Sequence, residues 1–236
     1  MPSVQTPNTT SQPTAVWEQQ MAMPVEPSAR EAIQDQTDPS QQDYPLGSAK
    51  AQFMDNYIIA ETAQGIVIVD QHAAHERIVY EQLKEQYAQK KVQRQILLIP
   101  EVVPLSPDQV LLIQNHASEL EALGLTLDPF GEDAVSVREV PDILSSAAKL
   151  HDLIRQVADE LEEQGHSDAV ETRIHALLST MACHGSVRSG RVMGQAEMNA
   201  LLRQMETVPN TGQCNHGRPT AIHLNKEEIE RLFARA

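Results

Sequence analysis

The sequence predicts an α+β fold: a sheet-and-helix lobe, interrupted by a second, more helical and acidic lobe and preceded by a disordered linker. Three observations predict it. Apolar residues alternate or cluster between positions 47 and 69, as in strands, and recur at helical spacing in three stretches between 150 and 205. The first 45 residues hold seven of the 14 prolines, many Gln, Ser and Thr, and no glycine, so they lack the apolar surface that would offset the entropy of ordering.

Residues 1–46 are therefore assigned to the linker, and Trp17 within it, the one Trp of the chain, is read as an incidental aromatic rather than a docking hook. From Gly47 the alternation of Ala49, Ala51 and Phe53, then Tyr57 and Ile59, predicts paired strands. A turn at Ala63-Gln64-Gly65 precedes the run Ile66-Val67-Ile68-Val69, expected to be a strand buried on both faces. Helix formers continue from Gln71 to about Lys90, so a strand end feeds a helix start at Asp70. Gln95 to Pro100 predicts a short strand closed by proline, Leu111 to Leu123 one helix, and Leu125–Asp128 and Ala134–Glu139 two further strands.

Leu150, Leu153, Ile154, Val157 and Leu161 lie at helical spacing, as do Ile174, Leu177, Leu178 and Met181, and Met198, Leu201, Leu202 and Met205. Pro209 to Gly212 breaks the chain, and Asn225 can cap a last helix from Lys226 to Ala234. Residues 101–172 carry 16 acidic and three basic side chains, against five and eight in 173–236. That contrast places residues 101–172 as an insertion between two halves, 47–100 and 173–236, of one lobe.

Composition excludes several classes. A net charge of −15 argues against a freestanding module that coats nucleic acid, and 3% aromatics argue against stacking on single-stranded bases. The sequence holds no apolar run of the roughly 20 residues that span a bilayer and no signal peptide in residues 1–30, so the expectation is a cytoplasmic protein with no membrane partner. Cys183 and Cys214 cannot build a secreted disulfide framework. Cys183 and His184 are adjacent, and on a helix they diverge by about 100°, which disfavours a thiol nucleophile with its base.

Metal chemistry remains. His72 and Glu76, four apart, share one face of a helix that begins near Gln71, and Asp70 at the strand end can point to the same place. Cys214 and His216, two apart, fall on one side of an extended segment at roughly 6.5 Å. Together these half-sites offer sulfur, imidazole and carboxylate, a set in which sulfur favours Zn²⁺ and oxygen admits Mn²⁺ or Mg²⁺. Each half alone is weak: an isolated histidine is often structural, and His75 and Glu81 read as solvated helix residues.

Asp70 to Glu81 reads D-Q-H-A-x-x-E-x-x-x-x-E, which resembles the endonuclease motif of the MutL family of DNA mismatch-repair proteins. Ala182-Cys183 resembles the start of that family's alanine-cysteine-arginine motif, and Cys214 to Pro219 its cysteine-proline-histidine-glycine-arginine-proline motif. Two departures stand out, His184 for the arginine and Asn215 for the first proline. The resemblance covers about residues 47–236, the C-terminal domain. It implies that His72, Glu76, Cys214 and His216 are metal ligands, with Glu76 bridging two ions, Asp70 a further ligand or orienting carboxylate, and Cys183 at the site; Asp70 and Glu76 would be catalytic. Zn²⁺ would be structural or regulatory and Mn²⁺ or Mg²⁺ catalytic, with ATP used only by an N-terminal region not seen in this sequence.

The same resemblance implies a homodimer formed through the sheet lobe, nicking of duplex DNA, cooperation with the mismatch-recognition protein MutS, and association with the nucleoid during repair. Arg188, Arg191 and Arg218 are candidates to touch the DNA backbone. Gln95-Ile96-Leu97-Leu98-Ile99-Pro100 resembles the motif that engages the replicative sliding clamp, with Gln95, Leu97, Leu98 and Pro100 entering its pocket, against the alternative of a buried strand. The competing function is a non-catalytic dimerisation and docking module with structural zinc.

Overall fold

The computed structural model describes residues 44–144, 150–164, 170–186 and 191–234. Nearly all of the expected linker lies outside them. The described chain carries two antiparallel sheets with helices packed against them, the α+β class that the sequence predicts.

The first sheet contains β1 (Ser48–Phe53), β2 (Tyr57–Thr62), β3 (Gly65–Asp70) and β7 (Ala221–Asn225), in the order β1-β2-β3-β7. Gly65 sits where the β2–β3 turn meets β7: a Cβ there would lie 2.1 Å from the Leu224 carbonyl oxygen, so a larger residue would force the strands apart. One face of the sheet presents Ala49, Ile58, Ala60, Val67 and Val69 to a core completed by α6 (Gln195–Thr207) through Met198, Leu201, Leu202 and Met205. The expectation that β3 is buried on both faces fails in this chain. Ile66 and Ile68 are half-buried: on the other face, where Ala51, Ile59, Ile68 and Ile222 are aligned across the four strands, the described residues place no helix equivalent to α6.

The second sheet contains β4 (Arg94–Pro104), β5 (Thr126–Pro129) and β6 (Ala134–Pro141), in the order β4-β6-β5. With it pack α2 (Pro107–Asn115), α3 (Ala117–Ala122), α4 (Leu150–Gln164) and α5 (Val170–Gly185). The helical spacing was legible here: Leu150, Leu153, Ile154, Val157 and Leu161 are all buried, as are Ile174, Leu177, Leu178 and Met181. Each fully buried aliphatic side chain contributes about 1.5–3 kcal/mol relative to exposure. The stretch Leu111–Leu123 is not one helix. It breaks at His116 (φ −105°, ψ 14°), which ends α2 and starts α3.

The core of this second sheet does not respect sequence order. α5, beyond position 172, supplies Ile174, Leu177, Leu178, Met181 and Ala182 to it, and β4 runs across position 100. α1 (Gln71–Ala88) links the cores, with Ala74 and Ile78 in one and Val79 and Leu83 in the other. At the C-terminus Asn225 caps α7 (Lys226–Leu232) as expected, accepting from the Glu228 N–H at 2.8 Å.

An ion pair between a buried arginine and a half-buried glutamate fixes α5 against α3. The Arg173 guanidinium donates from Nε and Nη2 to Glu119 Oε2 and Oε1 at 2.9 and 2.7 Å. These hydrogen bonds hold the Glu119 carboxyl below its ordinary value of 4.5, with burial opposing them. A depressed carboxyl stabilises the fold above the ordinary glutamate range, and the contribution is lost as the pH falls through the depressed value. Urea denaturation should therefore find Arg173→Met less stable by about 1–3 kcal/mol at pH 7. The gap should narrow on acidification through that window, and a gap constant with pH would exclude the charge as its origin.

Candidate metal centre

The first half of the site is built at the junction of β3 and α1. Asp70 takes an extended conformation (φ −75°, ψ 104°) and its Oδ1 accepts from the His72 and Ala73 N–H groups, both at 3.0 Å, so the carboxylate starts the helix. This cap sets His72 in the first turn and Glu76 one turn on. Gln71 is fully buried beside it: its Nε2 donates to the carbonyls of Asp55 (2.9 Å) and Arg191 (3.0 Å), and its Oε1 accepts from Gln52 (2.8 Å). The helix start is thus tied to the β1–β2 turn and to the segment leading into α6.

The second half is carried by the loop before β7. The Asp70 N–H donates to the Thr220 carbonyl at 2.9 Å, continuing the β3–β7 ladder beyond Val69 and Ala221 and delivering residues 213–219 to the start of α1. The loop is not the extended segment expected for Cys214 and His216. Gln213 bridges Pro219, the Cys214 N–H donates to the Arg218 carbonyl (2.8 Å), and the Gly217 N–H returns to the Cys214 carbonyl (3.0 Å). Gly217 makes the reversal at φ +77°, where an L side chain is strained. Cys214 is buried and its Sγ accepts from the Arg218 N–H at 3.4 Å, while His216 is exposed.

Besides the backbone bond from Asp70 to Thr220, a side-chain hydrogen bond joins the two halves. Asn215 Nδ2 donates to Glu76 Oε1 at 3.0 Å. Glu76 is 6% exposed, and among the described residues that neutral amide is its hydrogen-bond donor and no Lys, Arg or His forms an ion pair with it. Asn215 Oδ1 is itself buried with no hydrogen-bond partner among the described residues. A third piece arrives from the end of α5. Ser186 Oγ donates to the Cys183 carbonyl at 2.9 Å and lies 3.4 Å from His72 Nδ1. With its proton committed to the carbonyl, the hydroxyl can accept from a protonated Nδ1, which would leave Nε2 as the lone-pair donor. Cys183 is exposed and lines, with His184, Asp152 and Arg155, a groove of about 420 Å³ beside α4.

The donor types fit a divalent cation. A buried carboxylate with no cationic partner and an electron-rich amide oxygen with no donor are both groups that positive charge would stabilise. Among the described residues, however, no three His, Cys, Asp or Glu side chains are gathered as a group that could hold a metal.

The remaining candidates are scattered. Glu81, taken from the sequence as solvated, is 7% exposed, ion-paired with Arg77 at 2.5 Å and 3.3 Å from Asn210 Nδ2, so it ties α1 to the loop after α6. His75 is half-buried, and burial first, then the charges of His72 and Arg191, push its titration below the ordinary 6.5. Arg191 is exposed and pairs with Glu197 at 2.5 Å; Arg218 is exposed and forms no ion pair among the described residues; Arg188 lies outside them. Gln95, Leu98 and Pro100 are exposed and Leu97 half-buried, so the buried-strand alternative fails there. Pairing of β4 with β6 is irregular between Ile96 and Glu101, and in that stretch Leu98 is 99% and Ile99 80% exposed.

A family model described as the MutL C-terminal dimerisation domain matches residues 50–193. The chain belongs to that family. The matched stretch holds Asp70, His72, Glu76 and Cys183 and ends before Cys214. The DNA mismatch repair protein MutL of Phenylobacterium zucineum is 54% identical over 193 residues, 82% of this chain and 31% of that protein. The MutL of Caulobacter vibrioides is 53% identical over 193 residues (82% and 30%), and that of Agrobacterium fabrum 48% over 209 (88% and 34%). The chain spans about a third of the length of the curated relatives it matches.

Sequence reasoning missed Gln71, Ser186 and the contact of Asn215. The first lies inside the D-Q-H-A motif, but its partners Gln52, Asp55 and Arg191 are 16 to 120 positions away, and the other two act through partners over 100 positions away. An NMR titration should find His75 titrating below pH 6.5, and Arg191→Ala should move it upward by removing a repelling charge. A downward movement would contradict the assigned electrostatics.

Proposed function

We propose that this MutL-family domain homodimerises and makes metal-dependent nicks in duplex DNA. The observation that carries the reading is the hydrogen bond between Asn215 and Glu76, which joins the D-Q-H-A helix to the Cys214–Pro219 loop at a buried carboxylate with no ion-pair partner among the described residues. Glu76, His72, Cys214 and His216 would hold the cations, with Cys183 near them. Bound Mn²⁺ or Mg²⁺ supplies an activated water and a place for negative charge on the phosphate, while Zn²⁺ would serve a structural or regulatory role. Asp70, whose Oδ1 caps α1, would be a further ligand or orienting carboxylate and, with Glu76, catalytic. Ser186 would present His72 through Nε2.

The net charge of −15 makes a poor grip on DNA. Arg191 and Arg218 would supply local contacts to the backbone, and a sliding clamp bound at Gln95 to Pro100 would supply proximity. The exposed Leu98 and Ile99 favour that partner, since a lone chain gains nothing by presenting them to water. The row Ala51, Ile59, Ile68 and Ile222, on the sheet face opposite α6, is the surface for the second copy. The mismatch-recognition protein MutS and ATP would act through the remainder of a full-length protein.

With Mn²⁺ the protein should nick supercoiled plasmid when the clamp is loaded, and Glu76→Ala should reduce the rate at least 100-fold without changing the fold by circular dichroism. Zinc binding without nicking under any metal would instead leave the non-catalytic docking module. Leu98→Ala should remove stimulation by the clamp and leave the clamp-independent rate within about twofold. Light scattering of Ile222→Glu should give monomer where the parent gives dimer; a dimer in both would move the interface elsewhere.

A further inference from the structure

The face of α1 that carries His72 and Glu76 continues at four-residue steps to Tyr80 and Lys84, drifting by only about 40° per step. Around the Tyr80 ring stand three nitrogen groups: the Arg77 guanidinium 5.3 Å and the Lys84 ammonium 5.8 Å from its centroid, and the His175 imidazole of α5, whose own centroid is 6.3 Å away. We propose that Lys84 and His175, gathered about Tyr80, form a contact site for the phosphodiester backbone of duplex DNA. The proposal rests on the DNA reading given above and requires no metal ion.

The three groups differ in what they have left to offer. Arg77 is mostly buried and its charge is taken by Glu81, so it braces the ring rather than reaching a ligand. Lys84 is half-buried along its stem and forms no ion pair among the described residues, which leaves its ammonium for an anion. The Tyr80 hydroxyl lies 2.8 Å from His175 Nδ1. With the phenol donating, Nδ1 is the acceptor and the ring proton sits on Nε2. That N–H points away from Tyr80 and lacks an acceptor in Glu171, whose Oε1 is 3.9 Å distant, beyond hydrogen-bond reach, on a side chain that is 90% exposed. Tyr80 is therefore a positioning residue: it supports the Lys84 stem and orients the His175 donor.

The geometry favours a nucleic-acid backbone over a base or a lone anion. Eight residues separate Glu76 from Lys84, about 12 Å of helix axis. One strand of B-DNA presents a charge per about 3.4 Å of its axis, so a duplex laid along this face meets the D-Q-H-A end and the Lys84 end within the same few phosphates. Stacking on a base is closed off, because Arg77 and Lys84 lie over the Tyr80 ring and its hydroxyl is engaged. An ammonium and an N–H donor hold phosphate without reading sequence. In a chain of net charge −15, a cation left free on the face that carries the nuclease-like motif is placed where it offsets the general repulsion of DNA.

The test is binding of a fluorescent duplex by the full chain in EDTA, read by anisotropy across a salt series that starts at low ionic strength. Lys84→Ala should weaken binding roughly three- to tenfold and lower the slope of log affinity against log salt by about one, the mark of one lost phosphate contact. Lys84→Arg should keep both. His175→Ala and Tyr80→Phe should weaken binding by similar factors, since each removes the oriented Nε2 donor. Arg138→Ala, which deletes a charge of the same sign already paired with Asp128 on β6, should leave the slope unchanged. Parent-like binding by both Lys84→Ala and His175→Ala, or an equal loss in Arg138→Ala, overturns the site and leaves the DNA reading standing. Displacement of the duplex by inorganic phosphate well beyond that by chloride at matched ionic strength marks a site for a free anion and overturns the duplex assignment. No binding by the parent at the lowest salt overturns the site and the DNA reading together.

Discussion

The antiparallel pairing of β3 with β7 is the constraint on which the site depends. β3 ends in the residue that caps α1, and β7 begins just after the loop that carries Cys214, so their register decides what stands opposite the first turn of that helix. Val69 faces Ala221, and the Asp70 N–H bonds the Thr220 carbonyl, which leaves no slack between the two motifs. A shift of the register by one residue would invert the faces of β7 and carry the loop away from Glu76.

α1 makes this junction rigid. A helix that buries Ala74 and Ile78 in one core and Val79 and Leu83 in the other cannot rotate without disturbing both. Around its start, Gln71 bonds backbone carbonyls of the β1–β2 turn and of the segment before α6, while Glu81 near its middle holds Arg77 and Asn210. Polar residues of the motif therefore divide between two duties. Gln71 and Glu81 fasten the helix, and His72 and Glu76 are presented by it.

Surfaces outside the site show a related division. The sheet covers one face with α6 and leaves isoleucines on the other, and β4 interrupts its pairing where its apolar residues are most exposed. Burial within one chain does not account for either feature. Both place apolar side chains where a second molecule could remove them from water, which agrees with a domain whose family is described by dimerisation.

Much of the fold was legible because helical and strand periods are local. The buried rows of α4, α5 and α6, the strand-to-helix junction at Asp70 and the cap at Asn225 all follow from neighbours within a few positions. The break at His116 was not legible, since nothing in the spacing of Leu111 to Leu123 marks it. Nor was the turn at Cys214, which depends on Gly217 adopting a positive φ and on a bridge from Gln213 to Pro219.

By itself, then, the order of residues determined the family and most of the elements, because motif spacing and periodicity are properties of short windows. Tertiary structure alone decided that Asn215 reaches Glu76, that Ser186 reaches His72, that Glu81 is buried rather than solvated, and that Leu98 faces water. Those outcomes depend on pairings between segments as many as 139 positions apart, for which a local pattern carries no signal.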